Sequence, residues 1–249
     1  MCGDSIDNDG NGFADCADDN CIITAGTCHE TSSIKALDQA GDANPTAPTF
    51  PTDGVVIANS CVTAISGSNL YLATAGTAAA DQGIFLFGGG QPLPNGVAVG
   101  STVDIIATVS AFKQSGSTAP EPQLELAGLQ ITKDVATCTV VPKASVATMA
   151  SLSMDTNGHP LIGSLVTLTP TSQFKITTAI ASHFGKLTSG NTVIAVGTSM
   201  LGAGYTADPI GTCYANLTGI WTYDTTGAGS YEILLTAAPT AAGTACTGM

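Results

Sequence analysis

Eight cysteines run through this chain, and they constrain its folding more than any other feature of the sequence. Their number is even and none falls in a Cys-x-x-Cys pair. They therefore predict four disulfides formed in an oxidising compartment. Cys2, Cys16, Cys21 and Cys28 crowd into a stretch too short and polar to bury a core of its own. There, Cys2 with Cys16 and Cys21 with Cys28 is one of the connectivities open, and sequence does not choose among them. Cys61 and Cys138 bracket one block of strand-like sequence, and Cys213 and Cys246 fall late in a second. Each block is expected to own one of these bridges.

Within the first cysteine cluster lies an acidic loop. Counting from Asp7, oxygen-bearing side chains fall at positions one (Asp7), three (Asp9), five (Asn11), nine (Asp15) and twelve (Asp18). Gly12 stands at position six, where the chain must turn, and Phe13 at position seven offers its carbonyl. Calcium, a hard cation taking six to eight oxygens, fits this register. Six aspartates occupy the first twenty residues and no lysine precedes Lys35, so their repulsion calls for a neutralising ion. A solvated acidic tail with Asn-Asp-Gly turns is the simpler alternative. Spacing, glycine and flanking cysteines together favour calcium. Zinc on Cys16, Cys21, Cys28 and His29 lacks the short paired spacings of such sites.

These residues resemble the Cys-framed Asp-Asn-Asp-Gly segments of secreted myxobacterial-type surface proteins, which are akin to thrombospondin type 3 and dockerin calcium loops. The resemblance spans residues 1–30. Asn11 stands where Asp is frequent, and Asp18 replaces a bidentate Glu. Both departures imply a weak site, with a dissociation constant of about 10⁻⁴ to 10⁻³ M, suited to a calcium-rich exterior.

Composition narrows the remainder. Hydrophobic residues make up 44% and aromatic ones only 5%, with Thr, Ala, Gly and Val dominant, which favours strands joined by small-residue turns. Net charge is −13 and all six basic residues are lysines. Without arginine or a basic cluster, nucleic acid and anionic membrane surfaces are disfavoured partners. No apolar run reaches the length of a membrane span. No signal peptide precedes Cys2, so a mature or trimmed form of a secreted precursor is expected. Lipidation of Cys2 would leave an odd cysteine among the other seven, so closure of the acidic loop is the preferred role.

Thr31–Leu37 is a short amphipathic lead-in, and Pro45, Pro48 and Pro51 make Asp42–Pro51 a semi-extended linker. Strand patterns then follow at 55–65, 69–73, 83–87, 101–112 and 123–131, separated by Gly, Ser, Pro and Asn turns. Five strands with a long fourth and no long helical pattern predict a small closed barrel.

A strand ending Val-Thr-Ala-Ile65, then Leu70-Tyr-Leu, Gly83-Ile-Phe-Leu-Phe, and Val97-Ala-Val-Gly before a long strand resembles the OB-fold domains attached to bacterial extracellular nucleases and surface proteins. The resemblance spans roughly 32–142. A second copy begins after Pro142. Val146–Met149 echoes Ile34–Leu37, Pro160–Leu168 is similar to the family's first strand, and Leu217–Tyr223 and Ser230–Leu235 to its fourth and fifth. Residues 179–207 match poorly. The expected fold is all-β: two tandem OB-like barrels, 54–142 and 143–249, behind a linker (31–53) and a disulfide-bonded calcium segment (1–30).

No catalytic constellation emerges. There is no Gly-x-Ser-x-Gly, His-Glu-x-x-His or phosphate loop, and His29, His159 and His183 stand in loop-like contexts. Glu121 and Glu125 read as a solvated strand edge, and Gly88–Gly90 as a turn. Tyr71, Phe85 and Phe87 are expected inside the barrel, although they fall where OB barrels present a binding face. Trp221 and Tyr223 share one strand side, as core or as contact. Asn216-Leu-Thr218 fits the N-glycosylation pattern. The reading is a secreted, non-enzymatic, calcium-binding structural protein of the cell surface or matrix that self-associates, as a filament subunit, through its N-terminal clip. A glycan- or nucleic-acid-binding accessory module is the alternative, and a hydrolase with an unrecognised site ranks last.

Overall fold

The computed structural model describes Ile6, Asp7, Gly10 and residues 30–37, 54–76, 82–112, 123–145, 149–153, 159–181, 184–202, 204–223 and 231–246. The chain is all-β and divides into two units. One draws on Met1–Thr77, Gln82–Phe112 and Leu124–Val140, and the other centres on Val141–Met249.

In the first unit, strands β1 (Glu30–Thr31), β2 (Val55–Ser66), β3 (Asn69–Thr74), β4 (Gly83–Phe87), β5 (Ser101–Phe112) and β6 (Gln123–Thr137) lie in the order β1-β2-β3-β4-β6-β5. A further β2–β5 pairing closes β2 to β6 into a five-stranded barrel. This is the strand order of an OB-like barrel, with β4 and β6 as its parallel pair. β2 serves two neighbours by bending. Val55–Ile57 pair with Ala107–Ile105 of β5, and Ile65 and Ser66 pair with Leu70 and Asn69 of β3. The bend sits at Asn59, whose φ of 54° is one Asn tolerates better than most residues. Its N–H donates to Asp104 Oδ1 at 2.7 Å.

Alternation along these strands fills the barrel with aliphatic side chains. Val55, Ile57, Val62, Leu70, Leu72, Ile84, Leu86, Val103, Ile105 and Leu126 form one buried cluster. Burying such a side chain contributes about 1.5–3 kcal/mol. Cys61 on β2 is bonded to Cys138 just after β6, with Cα atoms 5.7 Å apart. The bridge thus ties the first strand of the ring to the exit of the last.

The second unit follows the same wiring. Strands β7 (Lys143–Ser145), β8 (Leu165–Leu168), β9 (Phe174–Ala181), β10 (Phe184–Ser189), β11 (Thr192–Gly197), β12 (Cys213–Tyr214), β13 (Leu217–Tyr223), β14 (Tyr231–Leu235) and β15 (Ala241–Gly243) make one nine-stranded sheet. Its order is β15-β12-β9-β10-β11-β14-β13-β8-β7, with parallel pairs at β11–β14 and β7–β8, the former matching β4–β6 of the first unit. Here the first strand of the motif is split. β8 pairs with β13 and β9 with β10, and Thr171 and Ser172 form a bend between them, so the sheet is a half-barrel. Cys213 on β12 bonds Cys246 beyond β15 and pins that edge.

Two glycines are fixed by close approach. A Cβ on Gly219 would fall 2.3 Å from the Leu234 carbonyl oxygen where β13 crosses β14. One on Gly88 would fall 2.2 Å from the Ser68 carbonyl oxygen. Backbone cannot yield there as a flexible side chain would.

Candidate functional site

Of the predicted calcium ligands, Asp7 is within the described residues. Its Oδ1 accepts the N–H of Gly10 at 2.7 Å, and Gly10 takes φ +76°. A carboxylate at position one therefore closes a turn onto position four of the register. Asp9, Asn11, Phe13, Asp15 and Asp18 lie outside the described residues, as do Cys2, Cys16, Cys21, Cys28 and His29. Among the described residues, no group of three or more His, Cys, Asp or Glu side chains is placed to hold a metal.

An aromatic strip runs along β3 and β4 of the first barrel. Leu70, Leu72, Ile84 and Leu86 point into the core, so Tyr71, Phe85 and Phe87 on the same two strands point outward. The expectation of ring burial is thus corrected for Phe87, which stands open, while Tyr71 is covered. Aliphatic neighbours of the opposite parity take the interior. Tyr71 and Phe85 are register partners with centroids 5.1 Å apart, tilted by 48°. Tyr71 is buried, Phe85 half-buried, and Phe87 is 49% exposed. The following turn is held against this face, since Gly88 N–H donates to Asn69 Oδ1 at 3.0 Å. The result is an apolar strip graded from covered to open.

A second polar feature lies on β5 and β6. Burial, and then the charge of Asp104, raise the Asp134 carboxyl above its usual range, while Lys133 opposes the shift. Asp134 Oδ2 is buried without a hydrogen-bond partner among the described residues. Two acids alone make no binding site.

In the half-barrel, Tyr214 O–H donates to Asp208 Oδ2 at 2.9 Å. Burial, then the hydrogen bond to Asp208 and its charge, push the Tyr214 phenol far above its ordinary range. Burial and the Asp208 charge raise Tyr205 as well. Phenols held protonated in this way cannot serve as bases at neutral pH. The Tyr214–Asp208 hydrogen bond ties the segment before β12 to that strand. Trp221 and Tyr223 belong to the core. Trp221 is fully buried and stacks on Tyr231 at 5.2 Å and 14°, and Tyr223 lies 4.9 Å from the same ring. His159 opens a 3-10 turn, His159–Leu161, and His183 lies outside the described residues.

Sequence reasoning missed the Tyr205–Asp208–Tyr214 group, which sits in a loop and a two-residue strand that periodicity does not mark. Asn216 is exposed, as a glycosylation acceptor must be, while Thr218 Oγ1 lies 2.9 Å from Thr167 Oγ1. Among the described residues, no helix is long and apolar enough to cross a membrane.

No family model matches the chain, and no curated protein matches it. Among solved structures it is similar to one assigned as an aspartyl-tRNA synthetase from Leishmania major Friedlin, at 15% identity and a TM-score of 0.28. The match covers 53% of this chain and 25% of that one, and a likeness so partial carries no functional argument.

Proposed function

We propose that this is a secreted, calcium-binding structural protein of the cell surface or extracellular matrix that self-associates, as the subunit of an extracellular filament. The observation that carries the calcium reading is the turn in which Asp7 accepts the Gly10 N–H, at positions one and four of a six-oxygen register. The Cys61–Cys138 and Cys213–Cys246 bridges support an oxidising, extracellular setting. Strands rich in Thr and Ala support a scaffold more than a reactive site. Kinship with OB-fold domains of extracellular nucleases and with Cys-framed calcium loops belongs to this same proposal.

Calorimetry of the metal-free chain should give one site with a dissociation constant of about 10⁻⁴ to 10⁻³ M. Asp7→Ala combined with Asp9→Ala should abolish the heat and leave both bridged units folded by circular dichroism. Absence of calcium binding at millimolar concentration in the unaltered chain sinks the proposal.

A second reading, an accessory module for glycans, is favoured by the exposed Phe87 at the open end of a strip whose other rings, Phe85 and Tyr71, are half-buried and buried. Sugar rings stack on exposed aromatic faces much as bases do. In affinity electrophoresis through a panel of polysaccharides, retardation lost on Phe87→Ala would support it; no retardation on any of them would discard it.

A further inference from the structure

Asn95 and Gly96 are the central residues of a turn between β4 and β5, closed by one hydrogen bond in which the Val97 N–H donates to the Pro94 carbonyl at 3.2 Å. Gly96 takes φ +78°, the left-handed conformation that glycine accepts at the third position of such a turn. Both residues are exposed. Among the described residues, neither the Asn95 side-chain amide nor the Gly96 N–H has a hydrogen-bond partner. Leu93 and Val97, on either side, pack against the barrel core, so the turn is anchored at both feet while its tip stands in water.

An asparagine side-chain amide and the main-chain nitrogen that follows it can close a five-membered imide. Closure needs an accessible amide carbon, a following N–H that is not held elsewhere, and a backbone free to rotate between the two. The other described asparagines fail on the last two counts. Asn59, Asn69, Asn191 and Asn216 stand directly before Ser60, Leu70, Thr192 and Leu217, whose nitrogens belong to strands β2, β3, β11 and β13. Ser60, Leu70 and Leu217 are also buried, and Thr192 brings a branched side chain beside the attacking atom. Gly96 brings no side chain and belongs to no strand.

We propose that Asn95 is a site of spontaneous deamidation, a modification that stands independently of the function proposed above. The Gly96 nitrogen attacks the side-chain carbonyl carbon of Asn95 and a C–N bond forms. Ammonia leaves, made of the side-chain NH2 and the proton given up by the Gly96 nitrogen. Water then opens the imide at either carbonyl, so that aspartate results from one opening and isoaspartate from the other. Aspartate keeps the geometry of the turn. Isoaspartate adds a carbon to the main chain between the two anchored feet, and the Val97 to Pro94 hydrogen bond no longer spans the same ring. The charge changes in both products. Gly96 lies against the exposed Lys133, whose Cε is 3.8 Å from where a Gly96 Cβ would stand, so the new carboxylate arises beside one of the six lysines of the chain.

The test incubates the full-length chain in mildly alkaline buffer made with isotopically heavy water oxygen, then maps its peptides by mass spectrometry. The peptide containing position 95 should exchange its amide for a carboxyl carrying the heavy oxygen and split into two chromatographic forms, one of them a substrate for an isoaspartate methyltransferase. Asn59, Asn69, Asn191 and Asn216 should stay intact over the same period. Asn11–Gly12 and Asn157–Gly158 lie outside the described residues, so the map is read site by site and not from the intact mass. Asn95→Gln, at an exposed position, should lose the product at 95 and leave the circular dichroism unchanged, because its longer side chain would have to close a six-membered ring. If Asn95 stays unmodified while a free peptide of residues 92–98 converts under the same conditions, the turn protects it and the proposal is overturned. Equal conversion at the four strand-borne asparagines would overturn it as well, since the structure would then confer no selectivity.

Discussion

Replacing Cys61 and Cys138 together by alanine should lower the stability of the first unit by about 4 kcal/mol. Their bridge spans a sequence separation of 77 residues, and closing so long a loop removes much entropy from the unfolded chain. Domains of this size are stable by only about 5–15 kcal/mol, so the loss is a large fraction of the total. The core it supports is aliphatic and short of large rings, with Ala107 and several valines among its members. The same substitution at Cys213 and Cys246, separated by 33 residues, should cost somewhat less. Denaturant titration followed by circular dichroism measures both. A loss below about 1 kcal/mol at the first pair would mean that the ring is self-sufficient without its staple.

The second large effect is expected at Trp221, the single tryptophan of the chain. Truncation to alanine should cost the second unit about 3–5 kcal/mol, through lost transfer energy and an unfilled cavity. Loss of the stack on Tyr231 adds to this. Trp221→Phe should be far milder than its lost volume implies. Indole Nε1 is buried without a hydrogen-bond partner among the described residues, and phenylalanine removes that unsatisfied donor. Because the native fluorescence comes from one side chain in one unit, it reports the unfolding of the half-barrel alone in the unaltered chain. Circular dichroism then shows whether the first unit keeps its own transition. If Trp221→Phe destabilises as much as Trp221→Ala, the argument about the orphaned N–H is wrong.

Much of this fold was legible. The first five strand patterns, from 55–65 to 123–131, begin where β2 to β6 begin, although β6 runs on to Thr137, because apolar residues recur there and glycines or prolines punctuate the turns. Leu217–Tyr223 and the strand before Leu235 are likewise where the repeat places them, as β13 and β14. Sidedness was less accessible. Leu70-Tyr71-Leu72 and Ile84-Phe85-Leu86 are apolar at every position, so alternation cannot say which parity faces in, and size alone misleads. Residues 179–207 resisted for another reason. The β9–β10 register shifts near Lys186 and the first strand is broken in two, so the second copy no longer follows the spacing of the first. The Tyr214–Asp208 tie joins residues whose pairing depends on loop shape. The proposed calcium register is a matter of spacing alone, and of its residues Asp7 is among those described.

The parallel pairs β4–β6 and β11–β14 have a kinetic consequence. Phe85 meets Glu125 across β4 and β6, and Ala195 meets Glu232 across β11 and β14. Neither pair can be joined by a tight turn, so each must wait until the intervening strands have been gathered. Topologies dominated by such distant contacts fold in roughly milliseconds to seconds, instead of the microseconds available to local structure. Until closure, β4 and β6 would each present an open hydrogen-bonding edge to other nascent chains. The faster β6 finds β4, the shorter the time over which those edges can pair with another chain.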